Sequence, residues 1–254
     1  MRRNGIDDGL QQAVAVAISV DNRVVAQYRE RPGLMVQDGV RTFIPFPDAV
    51  SVRDTGHAVF HAGTPTGLAC ASCHPEGGED GRTWNFIPLG ARRTPTMRGA
   101  TSATAPFHWD GDQRDLTHLL GDVFAGRMGA GELNPAQQHS LSHWIDGLPT
   151  LRTHATADAD TLARGRAVFE GPAGCADCHS GAALTNNDTV DVGTGGSFQV
   201  PQLHGLAARA PYLHDGRAAT LDLRLMMNDG DRHGHTSTLT PAQRADLLRY
   251  LASL

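Results

Sequence analysis

The chain holds four cysteines, and they fall in two copies of one pattern: Cys70-Ala-Ser-Cys73-His74 and Cys175-Ala-Asp-Cys178-His179. A Cys-X-X-Cys pair followed at once by histidine is the attachment signature of haem c. The two thiols add across the haem vinyl groups, and the neighbouring imidazole reaches the iron from one face. The spacing therefore assigns Cys70, Cys73, Cys175 and Cys178 to two covalently bound haems, with His74 and His179 as the proximal iron ligands. Other chemistries leave residues idle. Two disulfides would suit a secreted chain but give neither histidine a role. A four-cysteine zinc site needs both pairs to meet in space, and again leaves both histidines unused. A thioredoxin-like motif expects a βαβ context, and neither pair has one.

The group on the far side of each iron decides what the iron does, because only an open or openable position can bind a small substrate. For the first haem the sequence offers Met128, downstream of the motif in the loop Phe124-Ala125-Gly126-Arg127-Met128-Gly129. The competing reading is a flexible core filler, the common use of methionine. Met97 is its rival, but it stands where the second copy has Leu203, which reads as packing. For the second haem, His233 lies in Asp231-Arg232-His233-Gly234-His235, where an imidazole between charged residues and a glycine can reach an iron.

The elements that hold these residues repeat. Gly56-His57-Ala58-Val59-Phe60 and Gly165-Arg166-Ala167-Val168-Phe169 precede the two motifs. Thr94-Pro95-Thr96-Met97-Arg98-Gly99 and Val200-Pro201-Gln202-Leu203-His204-Gly205 follow them. Then come Ala105-Pro106-Phe107-His108-Trp109-Asp110-Gly111 and Ala210-Pro211-Tyr212-Leu213-His214-Asp215-Gly216. Each copy closes on a helix start, with Asn134 and Thr240 as N-caps and Pro135 and Pro241 at the first helical position. Apolar residues then recur at helical spacing. The expectation is two cytochrome c-like haem domains, residues 53–150 and 158–254, joined by the small polar stretch 153–158, in a mainly α fold of short helices and long loops. Residues 1–45 differ. Alternating Val14, Val16, Ile18 and Val20, a turn at Asp21-Asn22, and Val24 to Tyr28 read as a β-hairpin, which is marginal by itself and must pack on something larger.

Composition narrows the function. The 254 residues are 40% hydrophobic and 6% aromatic, with 29 glycines and 14 prolines. That is thin for a protein core, and two flat apolar macrocycles would supply the missing bulk. A net charge of −5 argues against a nucleic-acid partner. No run reaches the roughly 18 apolar residues of a membrane span. Haem c is attached in an oxidising compartment outside the cytoplasm, so a periplasmic or extracellular location is expected. Met1-Arg2-Arg3 is not followed by a secretory h-region or cleavage site, which suggests a processed form or the end of a longer product.

In the paired haem motifs, Thr94-Pro95-Thr96, Phe107-His108-Trp109-Asp110-Gly111 and Ala210-Pro211-Tyr212-Leu213-His214-Asp215-Gly216, the chain resembles the bacterial di-haem cytochrome c peroxidases and their relatives that mature tryptophan-derived cofactors. The resemblance runs from about residue 53 to the end, and the N-terminal hairpin looks like a closing piece of a β-propeller. It implies an oxidoreductase in which one haem stores and relays electrons while the other reduces hydrogen peroxide. Electrons would come from a small donor protein of cytochrome c or cupredoxin type. It implies that Trp109, in a Trp-Asp-Gly motif, lies between the haems; the plain alternative is a packed aromatic held by its N–H. It puts the second haem's distal methionine near Met226, Met227 or Asn228. The family's catalytic glutamate falls near Met128 and Gly129, so Glu132 is the nearest acid. No histidine stands between His74 and His108 to serve as a removable distal ligand.

A domain-bridging calcium is also implied, but Arg93 and Arg209 stand where relatives offer neutral oxygens. Only backbone carbonyls would then be left to bind it. Arg92, Arg93, Arg98, Arg209 and Arg217 are candidates to pair haem propionates or to be surface charge; His214 replaces Trp109 in the second copy. Two alternative functions remain open: a plain electron-transfer cytochrome with both irons six-coordinate, and an oxidase of a partner protein's tryptophan.

Overall fold

A computed structural model describes residues 13–28, 31–49, 54–99, 101–151 and 157–254. Met1-Arg2-Arg3 and most of the joint, residues 153–156, lie outside the described residues. The chain divides into two compact units, residues 1–58 and 59–254.

In the first unit the expected hairpin is present as β1 (Ala13–Ile18) and β2 (Val24–Tyr28), turning at Asn22 with a positive φ. It is half of a larger structure. β3 (Gly33–Gln37) and β4 (Arg41–Pro45) extend it into a four-stranded antiparallel meander in the order β1-β2-β3-β4. The second hairpin turns at Asp38-Gly39, an Asp-Gly pair of the kind that favours a tight turn. Ala26 pairs with Met35 and Met35 with Phe43, so one face carries a continuous apolar stripe that also includes Tyr28.

The second unit is built twice over. Helix α1 (Thr55–His61) leads into it, and α2 (Cys70–Cys73) carries the first haem motif. Next come the hairpin β5 (Thr83–Phe86) and β6 (Gly90–Arg93), then α3 (Leu116–Leu119), which runs into a π-helical stretch at Leu120–Arg127. Helix α4 (Pro135–Asp146) closes this half. The second half repeats the order with α5 (Ala159–Glu170), a 3₁₀ turn at Cys175–Asp177, the hairpin β7 (Thr189–Asp191) and β8 (Ser197–Gln199), α6 (Leu221–Met226) and α7 (Pro241–Leu251). Helices account for about a third of the described residues, and small antiparallel sheets accompany them in both halves. The expected mainly α fold is met in part: short helices are present in both halves, and hairpins share the architecture with them.

The caps explain where the helices start. Asn134 and Gln137 bond reciprocally at 3.0 Å, and Thr240 and Gln243 do the same, each pair a capping box with proline at the next position. Asp158, Asp115 and Thr220 cap α5, α3 and α6. Each half then has its own core in the same register. Val59 and Phe60 pack with Leu120, Phe124, Leu141 and Ile145. Val168 and Phe169 pack with Leu203, Leu206, Leu247 and Leu251. Each such side chain contributes about 1.5–3 kcal/mol when fully buried, and the two clusters anchor the turns that present the cysteines.

Candidate haem sites

Both haem motifs sit on single turns. Cys70–Cys73 forms one helical turn, closed at its start by the Ala69 N–H donating to Ser72 Oγ at 2.9 Å. Cys175–Asp177 forms the equivalent 3₁₀ turn. All four thiols are free and partly buried. Burial pushes Cys70 and Cys175 up to about 11, and raises Cys73 and Cys178 as well. Such thiols are protonated at neutral pH. They remain competent for thioether bonds, so the donor set fits haem c.

The two imidazoles suit iron. His179 is buried, and its Nδ1 lies 3.2 Å from the Leu184 carbonyl. A proton on Nδ1 donated there leaves the Nε2 lone pair for a metal. Burial pushes His179 down to about 4 and lowers His74 too, so both are neutral, the ligating form. His74 has a buried Nδ1 without a partner.

The distal candidates separate. The His233 ring stands 6.1 Å from His179, centroid to centroid, with planes 23° apart. Its Nδ1 is buried without a partner, and its backbone N–H is fixed by Asn228 Oδ1 at 2.8 Å. Met227 ends α6 with a partly exposed side chain, its carbonyl accepting from Arg224, and Met226 is exposed. Met128 ends the π-helical stretch and packs against the first core together with Cys70, Ala71 and Met97. Met128 and His233 are equivalent: each lies thirteen residues past the N-cap of its helix, Asp115 for α3 and Thr220 for α6. Glu132 is exposed, in the loop before α4.

Trp109 sits where the halves exchange contacts. The Arg93 N–H of β6 donates to the His214 carbonyl at 2.5 Å, and the Gln199 N–H of β8 donates to the Trp109 carbonyl at 2.7 Å. Each half thus lends its hairpin to the other's Asp-Gly loop. The approach is close enough to demand glycine. A Cβ on Gly111 would stand 2.6 Å from Thr189 Oγ1, and one on Gly216 would stand 2.7 Å from Thr83 Oγ1, both at positive φ. The Trp109 and His214 rings meet edge to face at 6.3 Å across this junction. His214 also stacks on Phe198, with centroids 3.8 Å apart. The Trp109 indole N–H donates to the Arg93 carbonyl at 2.7 Å.

Four of the five candidate arginines already hold protein carboxylates. Arg92 grips Asp110 through Nε at 3.2 Å and Nη2 at 2.8 Å; Arg217 binds Asp215; Arg93 and Arg209 share Glu79. Arg98 donates to the Pro149 carbonyl, has a buried Nε without a partner, and has no carboxylate among the described residues. Sequence reasoning missed Arg224. It is buried on α6, donates to the Met227 carbonyl at 3.1 Å, and burial pushes it down to about 10. Its signal is a lone arginine inside Leu221-Asp222-Leu223-Arg224-Leu225-Met226. Glu79 was missed as well.

Residues 162–254 match the cytochrome c family. The gamma subunit of hydrazine synthase from Kuenenia stuttgartiensis is 27% identical over 73% of this chain and 72% of its own length. The methylamine utilization protein MauG of Methylorubrum extorquens is 24% identical over 74% of this chain and 72% of its own length. A solved Kuenenia stuttgartiensis hydrazine synthase, studied under xenon pressure, superposes with a TM-score of 0.67 at 25% identity, covering 78% of this chain and 86% of that one.

Proposed function

We propose that the chain, which is similar to the cytochrome c family and to MauG, is a di-haem cytochrome c peroxidase-like protein: a periplasmic oxidoreductase with two covalent haems c that reduces hydrogen peroxide. The overall reaction consumes two electrons and two protons per peroxide and releases two waters. Haem c, once attached through each cysteine pair, supplies the electron storage and the peroxide chemistry. The protein's residues divide the work between the halves.

The observation that carries this reading is the difference at the two equivalent distal positions. His233 faces His179 at 6.1 Å, which matches two imidazoles sharing one metal, at about 2 Å per metal–nitrogen bond plus the ring radii. His179 and His233 would together hold a haem iron in the second half, and that haem would supply electron storage. Met128 packs on the first core; His74 would hold a haem there, and that haem would supply the peroxide chemistry. Met227 is left without a ligand role. Trp109, in edge contact with His214 where the halves exchange hairpins, bridges the two haems. Arg98 and Arg224, which have no carboxylate partner among the described residues, are available to pair propionates or other anions near each haem motif. Glu132 is the nearest acid downstream of Met128 and delivers protons from solvent. No helix among the described residues is long and apolar enough to cross a membrane. Haem c attachment outside the cytoplasm and a small soluble electron donor complete the proposal.

A carbon monoxide titration of the fully reduced protein tests it, read with low-temperature electron paramagnetic resonance of the oxidised form. The expected result is one carbon monoxide per two haems and one bis-imidazole low-spin signal that disappears in His233→Gly. No carbon monoxide binding and no peroxide turnover would overturn it. That outcome would favour an electron-transfer cytochrome with Met128 bound to the first iron, a reading supported by the shared register of Met128 and His233.

A further inference from the structure

The exchanged hairpins give the junction an approximate two-fold pattern, and one feature breaks it. The Glu79 side chain is 7% exposed and receives two guanidiniums, Arg93 at 4% and Arg209 at 8%. Glu79 Oε1 accepts from Arg209 Nε at 2.7 Å, and Glu79 Oε2 accepts from Arg93 Nη2. Arg209 also donates to the Gln202 and His204 carbonyls at 2.7 and 3.2 Å. Glu79 and Arg93 belong to the first half and Arg209 to the second, so the triad crosses the junction. In the repeat the positions of Glu79, Arg93 and Arg209 are taken by Leu184, Gln199 and Thr104, so the triad occurs once.

It occurs on the side that holds Trp109. The Arg93 carbonyl is the acceptor of the indole N–H, and the Arg93 N–H is bound to His214. Fixing the Arg93 side chain on Glu79 therefore fixes the main chain that orients Trp109. The same three residues are a poor place for a bridging calcium. Two buried guanidiniums repel a divalent cation, and the carboxylate that could bind it is already shared between them. We propose that Glu79 is a positioning residue: with Arg93 and Arg209 it forms a metal-free clamp between the halves that sets the indole of Trp109 for electron transfer. Removing one charge of a buried triad leaves the others uncompensated, so Glu79→Gln leaves two buried guanidiniums facing each other.

This inference rests on Trp109 as the inter-haem bridge, and the experiment reads the two ideas separately. In the di-haem protein, ultraviolet resonance Raman reports the hydrogen bond of the Trp109 indole, assigned by difference from Trp109→Phe. Rapid reduction kinetics report electron transfer between the haems. In Glu79→Gln the indole band is expected to shift to that of a weaker hydrogen bond and transfer to slow about tenfold, as misplacement of a reacting group does. The axial-ligand resonance signals should stay unchanged. Glu79→Asp should restore part of both, and a calcium chelator should change neither in the native protein. An unshifted band in Glu79→Gln, or a native band that shifts with the chelator, overturns the clamp. An unchanged transfer rate in Trp109→Phe would sink the bridge alone, while the band still judges the clamp. If Glu79→Gln does not assemble, Glu79→Asp, which keeps the charge but shortens the reach to Arg93, carries the same readouts, and a band and a transfer rate both unchanged from the native protein overturn the clamp.

Discussion

The two halves of residues 59–254 follow one order of elements, and a few of the side chains that differ between them bear directly on the haem motifs and the junction. Both start their closing helices with a capping box and proline, both bury a Val-Phe pair against two residues four apart on that helix, and both offer a hairpin to the partner's Asp-Gly loop. What differs is Met128 against His233, Trp109 against His214, and Leu119 against Arg224. The shared plan supplies two places for a haem motif, and in the proposed function the differing side chains give those places unequal duties. In that proposal a repeated scaffold becomes directional through side-chain differences, while the Val-Phe pair and the closing helix keep their packing in both halves.

The comparison is broken most severely at the cysteines. Replacing Cys70 and Cys73 with serine, or Cys175 and Cys178, is expected to remove one covalent haem each, halving haem content by pyridine haemochrome assay. Loss of both haems from either variant would mean that the halves do not mature independently. Exchanging the distal residues is the next strongest test. His233→Met should raise the midpoint potential of one haem by on the order of 100 mV in spectroelectrochemistry, because thioether ligation favours the reduced iron. Met128→His should create a second bis-imidazole signal and abolish carbon monoxide binding. If His233→Met leaves every potential in place, His233 is not a ligand.

Core truncations should be nearly equal in the two halves. Leu141→Ala and Leu247→Ala remove fully buried side chains at matched positions, and each should cost about 2–5 kcal/mol in denaturant melts. A large inequality would show that the haems carry unequal shares of stability. The smallest expected effects are at the caps. Asn134→Ala and Thr240→Ala should each cost about 1 kcal/mol, measured the same way.

Much of this was legible in the chain itself because it is written locally. The haem motifs, the closing-helix caps and the first hairpin each depend on residues a few positions apart, and each is where the pattern put it. The second N-terminal hairpin was announced only by Asp38-Gly39 between short apolar runs, too weak a signal to stand out. The clamp could not be read at all. Glu79 meets Arg93 14 positions on and Arg209 130 positions on, and no local pattern distinguishes it from the exposed charge it resembles. Arg93 and Arg209 drew notice only as candidate propionate partners and as misfits for calcium; their shared carboxylate depends on how Arg209, just past the turn Leu206–Ala208, meets the first half's hairpin. Arg224 stayed hidden because helical spacing cannot tell a buried arginine from one that reaches solvent along its stem.

The hairpin exchange has a consequence for how such a molecule can be divided. A gene cut within the joint would yield two polypeptides, each with a complete core and a complete haem turn, yet each with a loop whose backbone acceptor, Trp109 or His214, has lost its donor. Neither fragment should behave as a free-standing small cytochrome. Mixed together, they should reassemble noncovalently, with the split protein serving as its own complementation reporter.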